Sequence, residues 1–300
     1  MRVLVLTGPT GVGKTEVAEA LAQKLDLELI SADSRQVYTW LDIGTAKPEP
    51  EVRARAKFHM IDLVEPSRVY SAADYARDAT AVMRRLAREG RKFIVVGGSG
   101  LYIRALFEPF FEAPKPDARL RQRLAGRSTT DLYSQLKQAD PERAARLHPN
   151  DRQRIMRALE VNELTGKTMT ELAREGARRS EFEPVYVVLS LPRDVLLGRL
   201  DARFDAMLDA GLLDEVKRLK EAGFGRQSYV ANAYGYAELL AHLEGEISLS
   251  EAAAQAKAKT RAYARRQLTW CRSLSDAVWV ECTTVKETVD RLVPLVVSAG

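Results

Sequence analysis

The sequence predicts an α/β fold, in which a core of parallel strands and helices carries a mainly helical insertion. Two observations predict this fold. Short apolar segments alternate with amphipathic helical segments in the N-terminal part, an order typical of a parallel sheet wound by helices. From about residue 114 to residue 180, charged and helix-forming sequence replaces the apolar segments, and an apolar segment returns at Val185–Leu191. The predicted domains are a core at 1–114, continued at 183–300, and an insertion at 115–182.

Composition and charge bound the class of protein. The chain has 300 residues, 46% of them apolar and 29% charged, with 46 Lys and Arg against 41 Asp and Glu. These fractions exclude collagen-like, disordered and coiled-coil proteins. The region 114–180 alone holds 15 Lys and Arg against nine Asp and Glu, so its surplus of +6 exceeds the +5 of the whole chain. We expect the insertion to present a basic face to an anionic partner.

The sequence also predicts a cellular compartment. The N-terminal apolar stretch, Val3–Leu6, is too short for a signal peptide. No apolar run approaches the roughly 18 residues that a membrane span needs. The two cysteines, Cys271 and Cys282, are too few for a disulfide framework. We therefore expect a cytoplasmic protein that does not contact the membrane.

The individual elements follow from local patterns. β-branched and leucyl runs bounded by glycines or polar clusters predict buried strands at Val3–Leu6, Leu27–Ser31 and Phe93–Val96. Apolar residues at helical spacing predict helices, one of which has Ser71 as its N-cap. The predicted helices are Gly13–Lys24, Ser71–Arg88, Asp194–Glu221 and Leu249 to about Arg272, with a short tail after the last.

A phosphate-binding motif lies between the first strand and the first helix. Residues Gly8–Thr15 read GPTGVGKT, which satisfies the P-loop pattern G-x-x-x-x-G-K-[ST]. Glycines let backbone N–H groups wrap phosphate oxygens, and the helix N-terminus favours negative charge. Lys14 adds a cation, and Thr15 offers a hydroxyl to Mg²⁺. The motif predicts a phosphate or diphosphate site formed by Gly8, Pro9, Thr10, Gly11, Val12, Gly13, Lys14 and Thr15.

An acidic residue, Asp33, follows the second predicted strand. Ligands of open α/β sheets bind at the carboxyl ends of the strands, so Asp33 should lie near the phosphates. Its spacing leaves three roles open: metal ligand, general base, or the residue that forms the turn. Neither Phe93–Val96 nor Val185–Leu191 ends in the acid that a P-loop NTPase normally uses to hold Mg²⁺.

Beyond the P-loop, many blocks of the sequence resemble the bacterial tRNA dimethylallyltransferases, also called tRNA isopentenyltransferases. The resemblance covers nearly the whole chain. Two departures from the family pattern are visible: Ser99 stands where Thr is usual, and Tyr234 stands where a smaller aliphatic residue is usual. The matching blocks, in order, are 31–38, 42–48, 59–62, 70–75, 96–102, 147–155, 203–208, 235–236 and 266–270.

The resemblance implies a reaction. A dimethylallyl group passes from dimethylallyl diphosphate to N6 of the adenosine next to the anticodon of a tRNA, and diphosphate leaves. The P-loop would hold the diphosphate together with Mg²⁺. In this scheme Asp33 is the general base, while Lys14 and Arg203 contact the diphosphate. No nucleoside triphosphate is consumed, so the missing strand-end acid is expected.

The resemblance also implies a tRNA-binding surface. Arg35 and Gln36, beside the base, would read the target adenosine and its neighbour, because single-stranded loops are recognised through splayed bases. The block 152–157 in the insertion has an exposed charged helix as its alternative interpretation. The full predicted set is Asp33, Ser34, Arg35, Gln36, Ser99, Arg121, Gln153, Arg154, Ile155, Met156, Arg157, Arg261, Arg265, Arg266 and Arg272.

A basic stripe on the last long helix argues for RNA independently of the family. Lys257, Arg261, Arg265 and Arg272 fall within about 80° of one another at 100° per residue. No Asp or Glu lies between Gln255 and the end of the stripe. A solvated helix face usually mixes both signs, so the stripe predicts contact with a phosphate backbone.

Two rival functions remain at this stage. An NTP-dependent small-molecule kinase would share the fold, but the missing strand-end acid counts against it. A non-catalytic RNA-binding protein with an inactive P-loop is disfavoured by the intact Lys14, Thr15 and Asp33. The favoured interpretation is a monomeric transferase with tRNA and dimethylallyl diphosphate as substrates.

Overall fold

A parallel sheet forms the centre of the larger of two units. The computed structural model describes residues 1–109, 113–175, 180–226 and 228–299. Its strands, in the sheet order β3-β2-β4-β1-β5-β6, all pair in parallel, which confirms the predicted parallel sheet. The strands are β1 (Arg2–Thr7), β2 (Leu27–Ser31), β3 (Phe58–His59), β4 (Lys92–Val96), β5 (Glu183–Ser190) and β6 (Val278–Glu281).

Helices are the other main elements of the described residues. In the described residues, none of them is long and apolar enough to cross a membrane. They are α1 (Lys14–Leu25), α2 (Pro50–Arg55), α3 (Ala72–Arg88), α4 (Gly100–Phe107), α5 (Ala118–Ala125), α6 (Thr129–Ala139), α7 (Pro141–Ala145), α8 (Arg152–Thr165), α9 (Met169–Glu175), α10 (Arg193–Asp209), α11 (Leu212–Glu221), α12 (Tyr236–Leu243), α13 (Leu249–Cys271) and α14 (Val285–Ala299).

The predicted strands and the first helices are confirmed to within two residues. Ser71 caps α3 as expected, and a capping box with Asp74 completes the cap. The single helix expected at Asp194–Glu221 is wrong, because the chain turns between α10 and α11 at Gly211, where φ is 96°. The expected short tail is also wrong, since β6 and α14 follow α13.

The core of the larger unit lies on both faces of the sheet. On one face α1 and α14 cover β1, and Leu21, Leu6 and Leu292 are fully buried there. On the other face α3 packs against α4, where the rings of Tyr75 and Tyr102 stack with centroids 4.3 Å apart. Strands buried on both faces explain the continuous apolar runs in the sequence.

The smaller unit spans Glu108–Ser180, and the larger one combines Met1–Phe107 with Glu181–Gly300. The described part of the smaller unit contains α5 to α9 and no strand. Its apolar core includes Leu124, Leu132 and Leu159, each almost fully buried. Residues 176–179 of the predicted insertion lie outside the described residues.

Candidate active site

The P-loop connects β1 to α1 and depends on its glycines. Gly8 has a φ of 142°, and a Cβ there would lie 2.5 Å from the carbonyl oxygen of Leu189 in β5. Gly11 and Gly13 also adopt positive φ, at 79° and 102°. An L-residue with a side chain would be strained at these positions. The loop therefore brings its backbone against the strand ends, in the conformation that suits phosphate.

Lys14 is folded back onto the loop that it serves. Its Nζ donates to the carbonyl oxygens of Gly8 at 3.0 Å and of Pro9 at 2.8 Å. Burial lowers the pKa of the Lys14 ammonium to about 8, although the Asp33 carboxylate pulls it upward. Arg203 on α10 is half-buried, and desolvation lowers its pKa as well. Two half-buried cations without a full set of anionic partners in the described residues favour an anionic ligand.

Asp33 forms a turn and keeps one oxygen free. Its Oδ1 accepts hydrogen bonds from the backbone N–H groups of Arg35 at 2.8 Å and Gln36 at 3.3 Å. The turn-forming role, one of the three alternatives, is thus present. Oδ2 of Asp33 has no hydrogen bond in the described residues and remains available as a proton acceptor or a metal ligand.

Two cavities meet at Asp33. The P-loop cavity, about 650 Å³, is lined by residues 10–15 of the loop and by the following turn of α1. The inner cavity, about 130 Å³, has an apolar wall formed by Leu200, Phe204, Met207 and Ala233. The residues that line both cavities are Thr10, Asp33, Thr45 and Arg203.

The buried side-chain amide of Gln267 holds the P-loop in place. Gln267 on α13 accepts a hydrogen bond from the backbone N–H of Thr10 at 2.8 Å and donates to the carbonyl of Gly98 at 2.9 Å. No local pattern in the sequence predicts a role for Gln267. Its signal was weak, because a polar residue among cations looks solvent-exposed until the fold buries it.

A buried carboxylate fixes the loop that carries Thr45. Glu215 on α11 is 2% exposed and accepts hydrogen bonds from the backbone N–H groups of Asp42, Ile43 and Gly44. These bonds hold the chain where it passes between the two cavities. Glu215 was also missed, because no local motif links it to residues far away in the sequence.

Arg199 lines the P-loop cavity together with Arg203, four residues further along α10. The sequence analysis gave no role to Arg199, although its spacing from Arg203 places both on one side of the helix. The structure adds it to the candidate phosphate-contacting residues.

Two predicted RNA contacts, Ser99 and Gln36, form hydrogen bonds to the protein backbone. The hydroxyl of Ser99, only 7% exposed, accepts a hydrogen bond from the backbone N–H of Ser34 at 2.9 Å. The Gln36 side chain donates to the carbonyls of Thr45 and Ala46. Ser99 and Gln36 thus keep neighbouring segments in place. Arg35 lines the inner cavity and lies over the ring of Tyr229.

The expected uninterrupted basic stripe on α13 is corrected by the structure. Lys257 pairs with Asp205 at 2.6 Å, and Arg261 pairs with Asp201 at 2.7 Å. Both acids lie on α10, so scanning α13 alone could not find them. In the described residues the exposed Arg265 has no ionic partner. Arg272 is exposed as well.

Arg266, another predicted RNA contact, donates to the hydroxyl of Tyr234 at 2.8 Å.

The predicted RNA contacts of the smaller unit divide into residues that bind or pack inside the protein and residues that are exposed. Arg121 and Arg157 both bind the buried carboxylate of Glu160, at 2.9 and 2.6 Å. Ile155 is fully buried, so its predicted contact with tRNA is corrected: its side chain packs in the apolar core. Gln153 and Arg154 are exposed, and Met156 is half-buried beside them.

Comparison with known proteins agrees with this geometry. The sequence model of the IPP transferase family matches residues 36–274, and residues 4–57 match the model of the ATPase family associated with various cellular activities. A tRNA dimethylallyltransferase of Halorhodospira halophila is 44% identical over 92% of this chain and 91% of its own length. The tRNA dimethylallyltransferase 1 of Citrifermentans bemidjiense is 42% identical over 94% of this chain and 92% of its own length.

Solved structures give the same result. The crystal structure of the tRNA isopentenylpyrophosphate transferase of Bacillus halodurans superposes with a TM-score of 0.71, at 34% identity over 99% of this chain and 97% of that one. A eukaryotic dimethylallyltransferase acting on tRNA superposes with a TM-score of 0.81, at 30% identity over 95% of this chain and 75% of that one. With a family match over most of its length and a P-loop beside an apolar cavity, the chain belongs to the IPP transferase family.

Proposed function

We propose that this chain is a tRNA dimethylallyltransferase. It transfers the dimethylallyl group of dimethylallyl diphosphate to N6 of the adenosine next to the anticodon. The observation that carries the proposal is the junction of the two cavities: a phosphate-binding loop opens beside an apolar wall, and Asp33 lies at the point they share. A kinase would need to bind the acceptor of its phosphoryl group beside the P-loop, whereas a prenyl chain needs the apolar wall.

The residues divide between the two halves of the reaction. As the bond between C1 of the dimethylallyl group and the diphosphate oxygen breaks, Lys14 and Arg203 stabilise the negative charge of the leaving group. N6 of adenine forms the new bond to C1. The lone pair of N6 is delocalised, so removal of its proton matters as the bond develops. Oδ2 of Asp33 accepts this proton, while Oδ1 keeps the turn in place.

The cavity residues fit a magnesium ion that binds together with the diphosphate. No cluster of three acidic, histidine or cysteine side chains that could hold a metal alone exists in the described residues. Mg²⁺ in phosphate sites needs only one or two protein oxygens besides the phosphates and waters. Thr15 lines the P-loop cavity, and its hydroxyl is the protein oxygen that could serve. The ion would neutralise charge on the diphosphate.

We further propose that the chain works in the cytoplasm as a monomer. Cys271 and Cys282 are buried free thiols, which suits a reducing compartment. Size-exclusion chromatography with light scattering measures the oligomeric state.

One assay tests the function. The protein is incubated with an unmodified anticodon stem-loop RNA, dimethylallyl diphosphate and Mg²⁺, and the RNA nucleosides are analysed by mass spectrometry. We expect the mass of one prenyl group to be added to adenosine. No addition by the wild-type protein sinks the proposal, and transfer of phosphate from ATP to a small acceptor would support the kinase instead.

A matched variant tests the base. Asp33→Asn keeps an oxygen that can accept the turn hydrogen bonds but cannot take up the proton. We expect kcat to fall by about 10² to 10⁴, the range for loss of a general base. Binding of dimethylallyl diphosphate should change little. Full activity of Asp33→Asn would show that Asp33 is not the general base, but it would not contradict the proposed overall reaction.

A further inference from the structure

Three side chains form a cluster at the edge of the inner cavity, which we call the Tyr234 cluster: Tyr234, Tyr263 and Arg266. The rings of Tyr234 and Tyr263 stack with centroids 4.6 Å apart and planes inclined by 29°. Arg266 donates to the hydroxyl of Tyr234 at 2.8 Å, and its guanidinium lies 5.9 Å from the centre of the Tyr263 ring. Two side chains of α13 thus fix one side chain of the segment before α12.

The cluster belongs to the wall of the site and not to the core. Tyr234 and Tyr263 both line the inner cavity, together with Asp33 and Ser34. Both tyrosines are only half-buried in the protein. Burial raises the pKa of Tyr263, and the Asp33 carboxylate adds to the rise, so its ring stays neutral at working pH. A neutral aromatic surface beside the proton acceptor is suited to a flat heterocycle.

The apolar residues that line the inner cavity suit a different ligand. Leu200, Phe204 and Met207 come from α10, next to Arg203. Aliphatic and aromatic carbon there matches a branched prenyl chain whose diphosphate lies against the P-loop. The lining of the cavity thus combines apolar residues of the helix that carries Arg203 with the two tyrosines of the Tyr234 cluster.

We propose that Tyr234 is the positioning residue for the target adenine: its ring, held by Tyr263 and Arg266, stacks with the base so that N6 meets Asp33. This inference rests on the proposed function and names how the same site receives its RNA substrate. A target base must leave its stack to reach an enclosed active site, and aromatic side chains replace the stacking that it loses.

Two variants separate the contribution of the aromatic ring of Tyr234 from that of its hydroxyl group. Tyr234→Leu keeps an apolar side chain but removes the aromatic face, whereas Tyr234→Phe keeps the ring and loses only the bond to Arg266. We expect Tyr234→Leu to lower kcat/KM for the stem-loop RNA about ten- to hundredfold, the range for loss of one base–aromatic stack. Tyr234→Phe should lower it only about two- to threefold. The KM for dimethylallyl diphosphate should stay within about twofold in both.

A binding experiment gives a readout that does not depend on turnover. A stem-loop with 2-aminopurine at the target position fluoresces less when that base stacks on an aromatic ring. At saturating protein we expect the bound stem-loop to fluoresce weakly with wild type and Tyr234→Phe, and markedly more with Tyr234→Leu, where the flipped base has no ring to stack on. Equal fluorescence of the bound stem-loop with Tyr234→Leu and wild type overturns the inference.

Kinetics can overturn it independently. Equal losses in Tyr234→Phe and Tyr234→Leu would assign the role to the hydroxyl, and a rise in the diphosphate KM alone would place the prenyl group against Tyr234. A wild-type protein that forms no prenylated product would refute the proposed function. The fluorescence experiment would still decide whether Tyr234 receives the base.

Discussion

Gln267 accepts a hydrogen bond from the backbone N–H of Thr10 at 2.8 Å, although the two residues are 257 positions apart. The same side chain donates to Gly98, just beyond β4. Gln267 is 6% exposed, so both bonds form away from water. The shape of the phosphate-binding loop therefore depends on α13 as well as on its own glycines.

Replacing Gln267 should loosen the P-loop. Gln267→Leu leaves the Thr10 N–H and the Gly98 carbonyl without their partner, and unpaired buried polar groups cost about 1–3 kcal/mol of folding free energy each. We expect a lower Tm and weaker binding of dimethylallyl diphosphate, measured by differential scanning calorimetry and titration calorimetry. Gln255→Leu, at an exposed position of the same helix, is the control and should leave both unchanged. Equal behaviour of the two variants would contradict the coupling.

Diphosphate binding should weaken as the pH rises above about 8. Burial lowers the pKa of Lys14 to about 8 in the free protein. A bound diphosphate favours the ammonium form and raises that pKa, so binding above about pH 8 takes up a proton. From these values the affinity should fall about tenfold between pH 7 and pH 9. Titration calorimetry in buffers of different ionisation enthalpy measures both the fall and the proton uptake.

Lys14→Gln provides the control for this titration. It should bind dimethylallyl diphosphate more weakly at neutral pH and show no proton uptake near pH 8, because the titrating ammonium is gone. If the uptake persists in Lys14→Gln, another group is responsible and the assignment to Lys14 is wrong.

Local features of the site could be predicted from the sequence, and long-range ones could not. The P-loop, β2 and the Ser71 cap depend on neighbouring residues, so their patterns are visible in short windows. Glu215 holds residues 42–44 from more than 170 positions away, and no window contains both. The turn between α10 and α11 could have been predicted from the sequence, because Gly211 can adopt the positive φ that the turn needs.

The charged residues show the same difference between what short sequence windows reveal and what depends on the fold. The surplus of the insertion could be counted, but its meaning depends on which cations already have partners. Arg121 and Arg157 are held by Glu160, which is fully buried. A sequence gives the number of charges on a helix, whereas the fold decides how many remain for a ligand.

Glu160 should therefore stabilise the smaller unit. Burial opposes its ionisation, but hydrogen bonds from Arg121 and Arg157 hold the pKa of its carboxyl below the ordinary value of 4.5. A lowered carboxyl pKa contributes stability that is present above pH 4.5 and is lost as the pH falls through the folded-state value. We expect Glu160→Gln to cost about 3 kcal/mol at neutral pH. The difference from wild type should shrink below about pH 4.5.

Hydrogen–deuterium exchange of the whole chain locates this effect. Faster exchange in α5 and α8, with unchanged exchange in the sheet, is the expected pattern for Glu160→Gln. Glu163→Gln is a suitable control, because that carboxylate pairs with Arg123 at a more exposed position. A loss of stability in the control as large as in Glu160→Gln would show that burial is not the cause.

RNA binding should depend on Arg265 of α13 more than on the cations of that helix that are paired with acids. Arg265 is exposed and has no ionic partner in the described residues, whereas Lys257 already neutralises Asp205. We expect Arg265→Ala to weaken stem-loop binding about three- to fivefold and to reduce the slope of log K against log salt by about one. The double variant Lys257→Ala/Asp205→Ala removes a cation and its anion together, so its salt slope should match that of wild type. The two changes together leave the net charge of the site unaltered. A salt slope reduced as much as in Arg265→Ala would therefore mean that RNA displaces Asp205 from Lys257. Ion pairs within the protein would then not predict which cations bind RNA.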